Sequence, residues 1–274
     1  HKAADGRPAP FHLYSMRQAI EEGFILDVLK GYVTYNRFFK LAKAVAEDPN
    51  LDKRKAAAAL ARFVNLHPSN IAQKTEIIIE HFRSCVMHLL DGKAKAMLVT
   101  GSRIQAVKYK LSFDRYLKEK GYSDVRCLVA FSGEVTDDTV ASVTYTERQM
   151  NDGIKETELP QKYASNAYQV LIVANKYQTG FDQPLLCAMY VDKRLSGIQA
   201  VQTLSRLNRC HHGKETTFVL DFVNKRDEIL ASFQDYYEAT TTAEAVDPQK
   251  LYELQDEMEQ QRIWTPSEVD GFAA

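Results

Sequence analysis

From residue 93 onward, short apolar runs, AMLVT, CLVAFSG, VLIVAN, LCAMYVD and TFVLDF, alternate with stretches of helical periodicity. A run so poor in polar residues has no face to offer water, so it predicts a strand buried on both sides. Strands of that kind, separated by helices, belong to a mostly parallel sheet with helices on both faces. The expected fold class is therefore α/β. ASVTYT adds a short strand and LPQKYAS a helix between the second and third runs.

Before residue 93 the pattern is helical. MRQAIEEGFILDVLKGY opens on a capping Ser15 and ends near Gly31, followed by YNRFFKLAKAV, KRKAAAALARFVNL and NIAQKTEIIIEHFRSCVMHLLDG. Breaks fall at Asp48-Pro49 and His67-Pro68-Ser69, where the residue before proline is pushed out of the helical region. After the last apolar run come two more helical patterns, RDEILASFQDYYEAT and PQKLYELQDEMEQQRIW. The expected division is a helical linking segment, 1–92, an α/β domain, 93–224, and a helical extension, 225–274.

Composition narrows the function classes. A net charge of -1 gives no global basic field, so any nucleic-acid surface must be local. Cys85, Cys127, Cys187 and Cys210 show no CxxC spacing, and two of them lie inside apolar runs, as small buried hydrophobes do in a reducing compartment. No apolar run approaches the roughly 18 residues of a membrane helix. The expectation is a soluble, cytoplasmic protein with no membrane partner. The start, HKAADGRPAPF, reads as the interior of a longer polypeptide.

Polar residues cluster where the elements join. In a doubly wound sheet, ligands bind outside the carboxyl ends of the strands, and helix N-termini there suit phosphate. Thr100, Ser102 and Arg103 follow the first run. Asn175 to Asp182, including Thr179 and Gly180, follow the third. The first group fits either a backbone phosphate of a nucleic acid or an ordinary helix cap. In KYQTGFDQP, Gly180 permits a close backbone approach, and Asp182 offers a carboxylate to a ribose hydroxyl, an arginine or backbone N–H groups.

In SGIQAVQTLSRLNR, Gln202, Arg206 and Arg209 stand at i, i+4 and i+7, within about a 60° arc on a single helix, opposite Ala200, Val201, Leu204 and Leu207. Such a face is either solvated charge or a pair of guanidiniums placed to stabilise charge on a transferred phosphoryl group. Neighbouring Cys210-His211-His212 diverge in direction, so no metal site is expected. The sequence contains no GxxxxGK[ST] loop. Arginines suited to a nucleoside triphosphate without the loop that cradles its phosphates suggest half of a shared site.

These stretches resemble known motifs. Gln202 to Arg209 is similar to the Q-x-x-G-R-x-x-R motif VI of superfamily 2 helicases, with Ser205 at the Gly position. Asn175 to Pro184, ending TGFDQP, resembles motif V, and AMLVTGSRIQAV resembles motif IV. All three belong to a second RecA-like domain of the P-loop NTPase type. YSMRQAIEEGFILDVL, VLIVANKYQTGFDQPLL, MYVDKRLSGIQAVQTLSRLNR and TFVLDFVN further resemble the motor region of the restriction (R) subunit of type I restriction-modification enzymes.

The resemblance implies an ATP-dependent DNA translocase and, for the intact subunit, a site-specific deoxyribonuclease. Arg206 and Arg209 would be arginine fingers and Gln202 a nucleotide contact. Gly180 and Asp182 would couple nucleotide to DNA, while Thr100, Ser102, Arg103, Asn175 and Thr179 would follow DNA phosphates. ATP and Mg2+ would be held mainly by the first RecA-like domain. The implied partners are double-stranded DNA, that first domain, and the modification and specificity subunits. The alternatives are a second RecA-like domain of another superfamily 2 helicase, or a non-catalytic α/β binding module.

Overall fold

The computed structural model describes residues 14–38, 71–137, 143–177 and 181–237. Six strands form one sheet in the order β1-β8-β7-β2-β6-β3, and every neighbouring pair runs parallel. They are β1 (Tyr32–Thr34), β2 (Lys95–Thr100), β3 (Cys127–Ala130), β6 (Val170–Ala174), β7 (Leu186–Asp192) and β8 (Phe218–Asp221). β4 (Glu134–Asp137) and β5 (Val143–Thr146) make a separate antiparallel pair. The expected α/β arrangement of a mostly parallel sheet with helices on both faces holds.

Side chains of the sheet sort by parity, as a two-residue period requires. Ala96, Leu98, Val129, Ile172, Tyr190 and Leu220 face one layer with α2 (Ile71–His81) and α3 (Arg103–Lys120). Met97, Val99, Leu128, Val173, Met189 and Val219 face the other, with α5 (Leu159–Ala164), α6 (Gly197–Leu204) and α7 (Arg226–Tyr237). Each strand therefore has apolar cover above and below, which explains why its sequence lacks alternation. Burial of one such Leu or Val contributes roughly 1.5–3 kcal/mol.

Two expectations need correction. The first helical pattern yields only α1 (Met16–Glu21), opened by a capping box in which Ser15 Oγ accepts from Gln18 N. Past Gly31, where the sequence pattern predicts no strand, Tyr32–Thr34 forms the edge strand β1, paired with β8. Gly31 is what lets it dock, because a Cβ there would run into the Thr217 carbonyl, and Gly31 O accepts from Val219 N at 2.9 Å. Ile77, Ile78 and Ile79 are fully buried against the chain's own sheet.

YNRFFKLAKAV falls mostly, and KRKAAAALARFVNL and PQKLYELQDEMEQQRIW entirely, outside the described residues. Cys127 and Cys187 are buried as expected. Among the described residues no helix is long and apolar enough to cross a membrane.

Candidate nucleotide-facing site

The carboxyl ends of β2, β6, β7 and β8 converge on one edge, and the polar groups there are mutually bonded. Asp192, at the end of β7, is buried and accepts from Lys74 Nζ and Gln105 Nε2, both at 2.6 Å, and from Tyr109 OH at 2.7 Å. It thereby ties α2 and α3 to the sheet edge. Asp221, ending β8, accepts from Tyr32 OH at 2.7 Å, from the N–H groups of Val223 and Asn224, and from Asn224 Nδ2. Burial raises its carboxyl above the usual carboxylate range, against the lowering effect of these donors.

The residues after β2 form a helix cap. Ser102 is the N-cap of α3, its Oγ accepting from Gln105 N. Thr100 is fully buried, and its hydroxyl donates to Val173 O at 2.9 Å. That position takes it away from any external phosphate, so its expected contact with nucleic acid is corrected to shaping the turn. Arg103 remains exposed, with Nη1 donating to the carbonyls of Ser132 and Glu134. Asn175 is exposed at a left-handed φ of 61°, and its Oδ1 accepts from Lys193 Nζ at 2.8 Å. Gly180 and Thr179 lie outside the described residues.

The arginines differ from expectation in one respect. α6 ends at Leu204, with Ser205 as its C-cap, so Gln202 alone stands on the helix. Arg206 sits in the turn beyond, and Arg209 bridges to Ile25 in antiparallel fashion. They still come together. Arg206 donates from Nη1 to Phe181 O at 2.9 Å and from Nε to Gln202 O at 3.2 Å. Arg209 Nε lies 3.2 Å from Asp182 Oδ1.

Asp182 thus pairs with an arginine, and the guanidiniums are not uncompensated. Burial, and secondarily the positive charge of Arg209, pushes the Arg206 guanidinium below its ordinary value without discharging it. Gln202 and Arg209 are exposed, as is Asp182.

Two groups of this site escaped the sequence reading. Lys176, next to Asn175, pairs with Glu147 Oε2 at 2.8 Å, and Glu147 also accepts from Phe131 N. This links the strand connection after β6 to α4 (Glu147–Met150). Lys214 is buried and donates to three backbone carbonyls around the arginine loop. A Lys inside HHGKETTF carried no recognisable signal, because its partners are main-chain atoms. Among the described residues no group of three or more His, Cys, Asp or Glu is gathered as a metal would need.

Comparison with known proteins adds an independent line. The family model for type I restriction enzyme subunit R domain 3 matches residues 150–224. A putative type I restriction enzyme MjaVIIP endonuclease subunit from Methanocaldococcus jannaschii is 29% identical over 192 residues, covering 65% of this chain and 17% of that protein. The type I restriction enzyme HindI endonuclease subunit of Haemophilus influenzae is 28% identical over 115 residues, or 40% of this chain and 11% of the relative.

Among solved structures, a fragment of a putative HsdR subunit of a type I restriction enzyme from Vibrio vulnificus aligns with a TM-score of 0.47 at 13% identity, over 85% of this chain and 38% of that one. The chain spans less than a quarter of the length of the first curated relatives it matches, 17%, 18% and 22%. The chain thus resembles the R subunit of type I restriction enzymes, with residues 150–224 matching that subunit's domain 3.

Proposed function

We propose that this chain is the second half of an ATP-driven DNA motor in a type I restriction R subunit, facing a nucleotide carried by another RecA-like domain of the same polypeptide. The observation that carries the reading is the meeting of Arg206 and Arg209 beyond α6, both anchored to the Phe181-Asp182 connection. Two guanidiniums gathered at the edge where the strands end suit charge developing on a transferred phosphoryl group.

ATP and its Mg2+ would supply the phosphoryl chemistry, and the residues here fit the anion rather than the metal. Arg206 is held through Nε and Nη1, and its Nη2 is the nitrogen that would meet phosphate oxygens. Arg209 is held through Nε alone and presents both Nη atoms. Gln202 stands one turn before Arg206, placed to sense the same ligand. Ser102, Arg103 and Asn175, on the neighbouring strand ends, are the candidates for DNA-backbone contact. Double-stranded DNA and the modification and specificity subunits are the partners this reading requires.

The test is made in the intact subunit assembled with its partners. Arg206→Ala or Arg209→Ala should lower DNA-stimulated ATP turnover by about 100- to 1000-fold, the scale for losing a transition-state donor, while nucleotide binding stays nearly intact. Wild-type turnover in both variants would overturn the assignment.

A further inference from the structure

The segment that presents the arginines is neither helix nor strand, so its shape must come from elsewhere. Leu207 N donates to Leu204 O and Asn208 N to Ser205 O, and there the local backbone bonding stops. The carbonyls of Leu207, Asn208 and Arg209 need outside donors. Asn208 O accepts from Leu26 N at 2.8 Å. The other two both accept from a single atom, Lys214 Nζ, each at 2.8 Å.

That ammonium also donates to Pro184 O at 3.2 Å, in the connection that carries Phe181 and Asp182. A tight turn delivers it. Lys214 N donates to His211 O, and Gly213 takes a left-handed φ of 77°, folding the chain back beneath the arginine loop. Lys214 is 6% exposed, and its three acceptors equal the three hydrogens of an ammonium. Each acceptor is a carbonyl, and together they belong to the two segments that hold the guanidiniums.

We infer that Lys214 is the positioning residue of the arginine pair: by joining the 207–209 loop to the 181–184 connection through one ammonium, it fixes where Arg206 and Arg209 reach relative to a bound triphosphate. Burial supports this division of labour, since it pushes the Lys214 amine down to about 8, as a cation solvated only by main-chain oxygens should respond. The inference rests on the arginine-finger reading above.

The test uses the intact R subunit in its complex, with ATP turnover followed against ATP concentration. Lys214→Met keeps the stem and removes every donor. It should lower kcat about tenfold or more with KM for ATP changed less than about threefold, because ATP binding relies on the other domain. Lys214→Arg, which restores a cation with several donors, should recover a substantial part of kcat.

Wild-type kcat in Lys214→Met would overturn the inference. So would equal losses in Met and Arg variants that track a falling melting temperature. If Lys214→Met does not fold, Lys214→Gln, whose shorter side chain cannot span the carbonyls of both segments, is read instead, and unchanged kcat there is equally fatal. Arg206→Ala is measured alongside. Full turnover in that variant removes the arginine reading itself, whereas its loss beside a normal Lys214→Met removes only the positioning role.

Discussion

Single residues carry most of what is new in this chain. Motif-like residues were legible because side-chain chemistry at fixed spacing is written in the sequence. Gln202, Arg206, Arg209 and Asp182 come together as that spacing suggests, although not on one helix face. Lys214 was illegible for the opposite reason, since main-chain carbonyls leave no residue type to recognise. His81 is a comparable case, buried against the ring of Phe218 with its Nδ1 2.8 Å from Tyr190 OH.

Burial pushes the His81 imidazole down to about 4. In the unfolded chain it takes a proton near pH 6.5, so stability is full above that value, falls as the pH drops towards 4, and levels off below. The loss attributable to this group is on the order of 3 kcal/mol, at about 1.4 kcal/mol per pH unit. Urea midpoints at pH 7 and pH 4.5 check it. His81→Phe should flatten that acid limb while costing about 1–3 kcal/mol at pH 7 for the orphaned Tyr190 hydroxyl.

Elements were legible where they are buried on both faces. β2, β3, β6, β7 and β8 appear within a residue or two of their apolar runs, since nothing but a fully covered strand needs such a sequence. β1 was not legible. Three residues at the junction of two helical patterns carry no strand signal of their own and pair because β8 offers an unpaired edge, which is a property of the assembled sheet. The end of α6 was missed likewise, because no Gly or Pro marks it and the chain leaves the helix towards Ile25 and Lys214.

Gly31 is the point where the edge strand can be challenged. Gly31→Ala should force the backbone apart from Thr217 and weaken the β1–β8 pairing, costing about 1–3 kcal/mol, read as a lower denaturant midpoint. Amide exchange should rise at Tyr32 to Thr34 and stay unchanged in β2. Uniform protection across all strands in the variant would refute this docking role.

On the scale of the whole molecule, one sheet edge gathers the arginine loop, the Asn175 connection and the α3 cap, while the opposite end of the strands holds buried structural groups such as Lys95, bonded to Ser165 O and Tyr168 O. If the nucleotide site is shared between domains as proposed, this chain alone should turn over no ATP above background, with or without DNA. Turnover by the isolated chain in a phosphate-release assay would contradict a site shared between domains.

The Arg209–Asp182 contact then takes on a further meaning. Both side chains are largely open to solvent, at 50% and 66%, so the pair contributes only about 0–1 kcal/mol. On the arginine-finger proposal, Asp182 would be a stand-in anion: its carboxylate offsets repulsion between the neighbouring guanidiniums, and so weak a pair would yield to a more highly charged ligand with little resistance. Nucleotide arrival would then exchange one counter-ion for another rather than create a contact from nothing.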